Sequence, residues 1–261
     1  MNAVLYIHGK GGHPSEAVHY QPLFPECPVE GLDYQADVPW LAGPEVRAAV
    51  DSLNSKYDGV ILIANSIGAF FSMHAGLNGR VLAAYFISPI IDMELLITEM
   101  MHCASITEAE LEKRGEIPTD SGETLSWTCL QYVRSHPIQW NVPTQILFGS
   151  CDTLTSLSAV RAFARAHRAG LTVMDGGEHW FHTDEQMRFL DDWIRKNESD
   201  RILQESMCPE ITGRFISGLQ SGQLEQITKT TGTPVPCHKS MQNGSCGGLN
   251  PPSPFDQRRL P

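Results

Sequence analysis

Ser66 is the residue around which chemistry could be organised. It sits in Ala64-Asn65-Ser66-Ile67-Gly68, after the apolar run Val60 to Ile63 and before a stretch that is apolar on nearly every side. A β-branched apolar run reads as a buried strand, and a segment apolar all round reads as a buried helix. A strand that reverses into a helix at one serine holds the hydroxyl proud of a sheet edge. The turn crowds strand against helix two residues before and after that serine. Ala64 and Gly68 are small, as the crowding requires, although Ala64 departs from the glycine of the strict G-x-S-x-G pattern. A serine hydroxyl is a weak nucleophile at neutral pH, so it needs a base, and the base needs an orienting acid. Two loops offer them: Ser150-Cys151-Asp152 and Asp175-Gly176-Gly177-Glu178-His179-Trp180. A third loop, His8-Gly9-Lys10-Gly11-Gly12, is either a tight turn or a place where backbone approaches a ligand closely. It lacks the GKS or GKT ending of a phosphate loop.

The elements that must position these residues alternate. Asn2 to Ile7, Gly31 to Asp37, Gly59 to Ile63, Arg80 to Ser88, Pro143 to Gly149 and Leu171 to Met174 read as strands. Pro44 suits the first position of a helix, and Val46, Ala49, Val50, Leu53 and Tyr57 follow at helical spacing. Ile67 to Asn78 reads as the buried helix after the serine. Leu157, Val160, Phe163 and Ala164 share one face of another helix that ends near Gly170. Thr183 with Gln186 makes a capping box for a last helix, which buries Met187, Leu190, Trp193 and Ile194 and ends on Arg195 and Lys196. Strands separated by helices imply an α/β fold with a mostly parallel sheet and helices on both faces. Ligands of such sheets bind past the C-terminal ends of the strands. Ser66, Asp152, His179 and the loop from His8 to Gly12 each fall at such an end, so four segments converge on one edge.

Residues 92–141 interrupt the alternation. They hold an apolar helix, Met93 to Cys103, a second helix capped by Thr107 with Glu110, and an apolar patch with Trp127, Leu130, Tyr132 and Val133. This is a short helical cap over the sheet edge, of the kind that shapes a substrate pocket. Residues 1–197 are expected to form one domain, with the cap as an insertion in it. Residues 198–261, rich in Gly, Ser, Thr, Pro and Gln, are expected to form a disordered tail, with at most a weak helix between Leu203 and Leu224.

The chain has 261 residues and a net charge of −11, and residues 1–197 carry 24 acidic and 13 basic side chains. That balance argues against nucleic acid and anionic membrane surfaces as partners. No apolar run nears the roughly 20 residues of a membrane span, and the first residues show no basic region or cleavage site, so a cytoplasmic protein is expected. Seven cysteines at irregular spacing read as free thiols, not as a disulfide framework. Cys208, Cys237, Cys246 and His238 match no zinc-finger spacing, so neither a metal nor another cofactor is expected.

The set resembles the α/β-hydrolase superfamily. The resemblance rests on the His8-Gly9 loop, on Ala-Asn-Ser66-Ile-Gly, on Gly-Ser-Cys-Asp152 after the penultimate strand, and on Gly-Gly-Glu-His179 after the last. The chain order of serine, acid and histidine is the one that fold uses. The resemblance covers about residues 1–197 and is similar to a small serine esterase or acylhydrolase with a short cap. It implies that Ser66 attacks a carbonyl, that His179 takes and returns the proton, and that Asp152 orients the imidazole. It implies an oxyanion hole of the Ile67 N–H with the N–H of Lys10 or, next in line, Gly11. The substrate is then a small acyl compound, first a carboxylic ester with some hydrocarbon in its acyl group. An amide, a small peptide or a carbon–carbon bond uses the same attack, and a non-catalytic binding protein on the same fold is a third reading.

Each assignment has a plainer rival. Asp152 competes with a helix N-cap role, and Asp92, past the preceding strand, is the alternative acid. His182 is the near competitor of His179. His8 reads as a support for its loop, His74 as a core residue, Glu178 as a solvated side chain, and Cys151 as packing.

Overall fold

The computed structural model describes residues 1–207 except residue 121. In chain order its elements are β1 (Ala3–Ile7), α1 (Ala17–Tyr20), β2 (Val29–Gly31), α2 (Pro39–Asn54), β3 (Val60–Asn65), α3 (Ile67–Met73) and β4 (Ala83–Ile87). The cap follows as α4 (Met93–Cys103), α5 (Glu108–Arg114), β5 (Glu116–Pro118), β6 (Thr124–Ser126) and α6 (Trp127–Ser135). The chain then returns to the sheet with β7 (Thr144–Gly149), α7 (Leu157–His167), β8 (Gly170–Met174) and α8 (Asp184–Met207).

Six strands form one parallel sheet in the order β2-β1-β3-β4-β7-β8, and β5 and β6 pair antiparallel by themselves. The central strands are apolar at nearly every position because both faces are covered. Alternate residues go to opposite faces. Leu62, Phe86 and Phe148 meet Val46, Phe71 and Val160 of α2, α3 and α7 on one side. Ile63, Tyr85 and Leu147 meet Tyr20, Leu190 and Trp193 of α1 and α8 on the other. Leu111, Leu125 and Leu130 of the cap belong to the first of these cores. The mostly parallel sheet with helices on both faces is as expected.

Several boundaries differ from the sequence reading, each for a local reason. The second strand is Val29–Gly31, not residues 31–37. There the turn at Pro14 packs so close to Gly31 that a Cβ would stand 2.0 Å from the Pro14 carbonyl oxygen. The chain then leaves the sheet toward Tyr34. Helix α2 starts at Pro39, the favoured first position, and Pro44 lies a turn inside it. Helix α3 stops at Met73, not Asn78, because the chain turns through Gly76 at φ +66.

The last helix does not end on Arg195 and Lys196 but runs to Met207. Glu198 is buried there, where it accepts a hydrogen bond from Tyr85 Oη at 2.7 Å and one from Arg201 Nε at 2.8 Å. Of the expected capping box one half forms: Gln186 N donates to Thr183 Oγ1, but Gln186 Oε1 accepts from His182 N, one residue before the cap. Residues 198–207, expected in the tail, are thus helical. The rest of the expected tail, with Cys208, Cys237, His238 and Cys246, lies outside the described residues. Among the described residues no helix is long and apolar enough to cross a membrane.

Candidate active site

The elbow is strained. Ser66 adopts φ 53 and ψ −119, a conformation that costs a non-glycine residue about 1–3 kcal/mol. The surroundings hold it there. Ser66 N donates to Ile87 O at 2.9 Å, and Ser66 O accepts from Ile90 N and Ala69 N at 3.2 Å each. A Cβ at Gly68 would stand 2.5 Å from His8 O and 2.8 Å from Ile7 O, so only glycine fits. Ala64 is fully buried, with no room for a large side chain. Helix α3 opens at Ile67, whose N–H is therefore one of the first-turn donors that a helix leaves without an internal partner.

The loops after β7 and β8 are laced to each other. Ser150 N donates to Met174 O at 2.9 Å and Cys151 N to Gly177 O at 2.8 Å. A Cβ at Gly149 would stand 2.3 Å from Gly177 O, so glycine lets the two loops touch. The Asp152 side chain is fully buried. Its Oδ1 accepts from Leu154 N at 2.8 Å and Thr155 N at 3.1 Å. Its Oδ2 accepts from His179 Nδ1 at 2.7 Å. A carboxylate only accepts, so this bond puts the imidazole proton on Nδ1 and leaves Nε2 as an acceptor. Ser66 Oγ lies 2.8 Å from that Nε2. Hydroxyl, imidazole and carboxylate form one continuous hydrogen-bonded chain.

The rival side chains are engaged elsewhere. Asp92 is exposed and caps α4 through Leu95 N at 2.9 Å. Ser156, not Asp152, caps α7. His182 stacks on Trp180 with ring centroids 4.6 Å apart and donates through Nδ1 to Trp180 O at 2.8 Å. Glu178 is exposed and faces His182 at 3.5 Å. His74 packs against Phe70 and Tyr132, and burial, with a smaller push from His136, lowers its pKa to about 4.

The loop after β1 is a tight turn, closed by Gly12 N to Gly9 O at 3.1 Å with Gly11 at φ 72. His8 supports it. The His8 ring stacks on Tyr34 at 4.3 Å, and its Nδ1 donates to Gly9 O at 2.8 Å. Tyr34 Oη donates to His8 O at 2.8 Å, and burial pushes the phenol pKa up, which keeps that donor protonated. The loop also approaches the elbow: a Cβ at Gly9 would stand 3.2 Å from Ser66 Cβ. The Lys10 side chain reaches away to an ion pair with Glu123, in the turn between β5 and β6 of the cap.

Two residues near the site went unread in the sequence. Tyr34 reads as part of a strand, and nothing local marks it as the buttress of His8. Ser88 follows β4, the strand between those that carry Ser66 and Asp152. It is fully buried at φ 45, and its hydroxyl has no partner among the described residues. The Ser-Pro step was its only signal. Among the described residues no group of three His, Cys, Asp or Glu side chains could hold a metal ion.

No protein-family model matches the chain, and no curated relative matches it. Solved structures do. Est1E from Butyrivibrio proteoclasticus is 18% identical with a TM-score of 0.61, over 77% of this chain and 88% of that one. Alpha/beta hydrolase domain-containing protein 10 from mouse is 19% identical with a TM-score of 0.58, over 76% and 90%. An esterase domain of a Rhodothermus marinus protein is 15% identical with a TM-score of 0.52, over 74% and 86%. The sheet order, the elbow and these neighbours define one class: the chain has the α/β-hydrolase fold.

Proposed function

We propose that the protein is a serine hydrolase that cleaves a carboxylic ester, or a related acyl compound of modest size, through an acyl-enzyme on Ser66. The hydrogen-bonded chain from Ser66 Oγ through His179 to Asp152, at 2.8 and 2.7 Å, carries the reading. Ser66 Oγ attacks the carbonyl carbon while its proton passes to His179 Nε2. Asp152 stabilises the imidazolium that forms. The carbonyl oxygen becomes an oxyanion held by the Ile67 N–H and by the N–H of Lys10 or Gly11. One such donor is worth about 3 kcal/mol in the transition state. The leaving alcohol takes the proton back from Nε2 as the carbon–oxygen bond breaks. Water then repeats the sequence on the acyl-enzyme and frees Ser66.

The apolar side chains that the cap shares with the core favour an acyl group with hydrocarbon character. The net charge of −11 disfavours a highly anionic substrate. The esterase domain among the fold neighbours favours an ester over an amide. The four described cysteines are free, which suits the reducing cytoplasm. A fluorophosphonate probe followed by peptide mass spectrometry should find the adduct on Ser66, and Ser66→Ala should abolish it. Labelling that persists in Ser66→Ala overturns the assignment.

A further inference from the structure

The sheet ends at β8, which pairs with β7 on one side and with no described strand on the other. A groove of about 450 Å³ runs between this strand and α7. Its floor is Ala164, Ala169 and Leu171, and its wall is Arg161, Arg165 and Arg168. Arg161 and Arg165 lie one turn apart on one face of α7, and Arg168 follows directly after its end, so all three line the groove. No acidic residue occurs between 157 and 174. Arg80, Arg114, Arg134, Arg195 and Arg201 each hold a carboxylate, whereas these three, like Arg47 and Arg188 elsewhere, have no ion pair among the described residues.

Helix stability does not explain the stripe. Like charges one turn apart repel. The helix dipole favours a cation in the last turn, which accounts for Arg165 but not for Arg161 a turn earlier. Arg168 sits at φ 55, the left-handed position after a helix where glycine is favoured.

We propose that this groove docks an acidic peptide segment of a partner protein, taken up as an added strand along β8 with its carboxylates against the three arginines. Among the described residues the outer edge of β8 has no strand partner, and an extended peptide backbone can pair with such an edge. The arginine stripe then selects for acidic side chains, and the apolar floor accepts the residues between them. A second copy of this chain is a poor occupant, because two β8 edges brought together would oppose two arginine stripes. A long polyanion or an anionic membrane is also disfavoured, since beyond the groove it meets a chain of net charge −11.

The test is fluorescence anisotropy on the full chain with a labelled short peptide of alternating glutamate and valine. The comparison probes are the lysine–valine counterpart, the glutamate–valine peptide N-methylated on alternate backbone nitrogens, and phosphatidylserine vesicles. The glutamate peptide should bind and the lysine peptide should not. The double variant R161E/R165E should bind the glutamate peptide at least about tenfold more weakly. N-methylation should weaken it by a similar factor, because the added strand can no longer pair. R161Q/R165Q, a milder change, should lose about threefold and serves if the reversal variant does not fold. Unchanged melting temperature and Ser66 labelling report the fold. Failure of the glutamate peptide to bind overturns the proposal, as does equal binding by the variants or by the N-methylated peptide. Vesicle binding lost in the same variants overturns it in favour of a membrane surface. Self-association gained in R161E/R165E without peptide binding overturns it in favour of arginines that only guard the edge.

Discussion

The rim that carries Ser66, Asp152 and His179 and the insertion of α4 to α6, the expected cap, are built by different means. The rim is joined backbone to backbone. Gly68 lies against the His8 carbonyl, Gly149 against that of Gly177, and the loop after β7 donates main-chain hydrogen bonds to Met174 of β8 and to Gly177 beyond it. The cap is joined through side chains. Arg134 on α6 bridges Glu108 on α5 at 2.7 and 2.8 Å and Glu94 on α4 at 2.6 Å. Tyr132 packs its ring at a tilt against those of Trp40 and His74, which lie outside the insertion, and Glu123 pairs with Lys10. Main-chain contacts of this kind tolerate no added atom, whereas exposed ion pairs contribute little and tolerate substitution. The difference teaches where precision is needed: the proposed triad requires the rim to hold three groups to within a few tenths of an ångström, while exposed ion pairs in the insertion impose no such demand.

The largest effects should therefore come from the rim. Ser66→Ala should lower kcat for a p-nitrophenyl ester by about a million-fold, because serine and histidine act as one unit. Asp152→Asn should lower it by about ten-thousand-fold with little change in fold, since the amide can favour the wrong imidazole tautomer. A loss below about tenfold in Asp152→Asn would mean that the chain of bonds to His179 is not the working one. Gly68→Ala tests the rim without touching its chemistry. Its Cβ meets two backbone oxygens that cannot move aside, so it should destabilise by about 1–3 kcal/mol and lower the melting temperature by several degrees. A melting temperature equal to that of the wild type would show that the elbow can relax, and the contrast with the cap would weaken.

How much of this was legible in the sequence follows the same division. The sheet and the four rim segments could be read because strand runs and small residues at an elbow are local signals. Ala64, Ser66 and Gly68 lie within five positions. The buttress at Tyr34 and the length of α8 could not. Tyr34 works through His8, 26 residues away, and Glu198 is buried where Tyr85, 113 residues away, donates to it beside the local pair with Arg201. A charged residue in a polar stretch reads as the end of a helix unless its distant partner is known. Pro44 misled for a related reason. It carries the usual mark of a helix start, but Pro39 carries it too and lies earlier.

A smaller effect is expected where the cap meets the main domain. His74, which caps the end of α3, faces Phe70 of that helix and Tyr132 of α6, and His136 adds a smaller electrostatic push. Burial lowers its pKa from 6.5 to about 4 in the folded protein. Between those values the unfolded chain binds a proton that the folded one does not. Stability is thus whole above about pH 6.5, declines as the pH falls, and has lost this contribution by about pH 4. Urea midpoints at neutral pH and near pH 5 measure the decline, and His74→Phe should make it shallower. An unchanged decline would place the acid sensitivity elsewhere.

The smallest effect should come from Glu123→Gln. It keeps the size of the side chain and removes the charge opposite Lys10, whose backbone is a candidate oxyanion donor. The Lys10 side chain is more than half exposed, so the pair contributes about 0–1 kcal/mol to stability, and the melting temperature should barely move. If the cap only closes over the rim, kcat for a short ester should stay within about threefold and KM should carry whatever change occurs. The rim has its own supports for that loop in Gly12 N to Gly9 O and in the stack of His8 on Tyr34. A kcat loss of tenfold or more, with KM unchanged, would mean that the cap positions the oxyanion loop through this pair. The two regions would then form one device, and the separation between a main-chain rim and a side-chain cap would not hold.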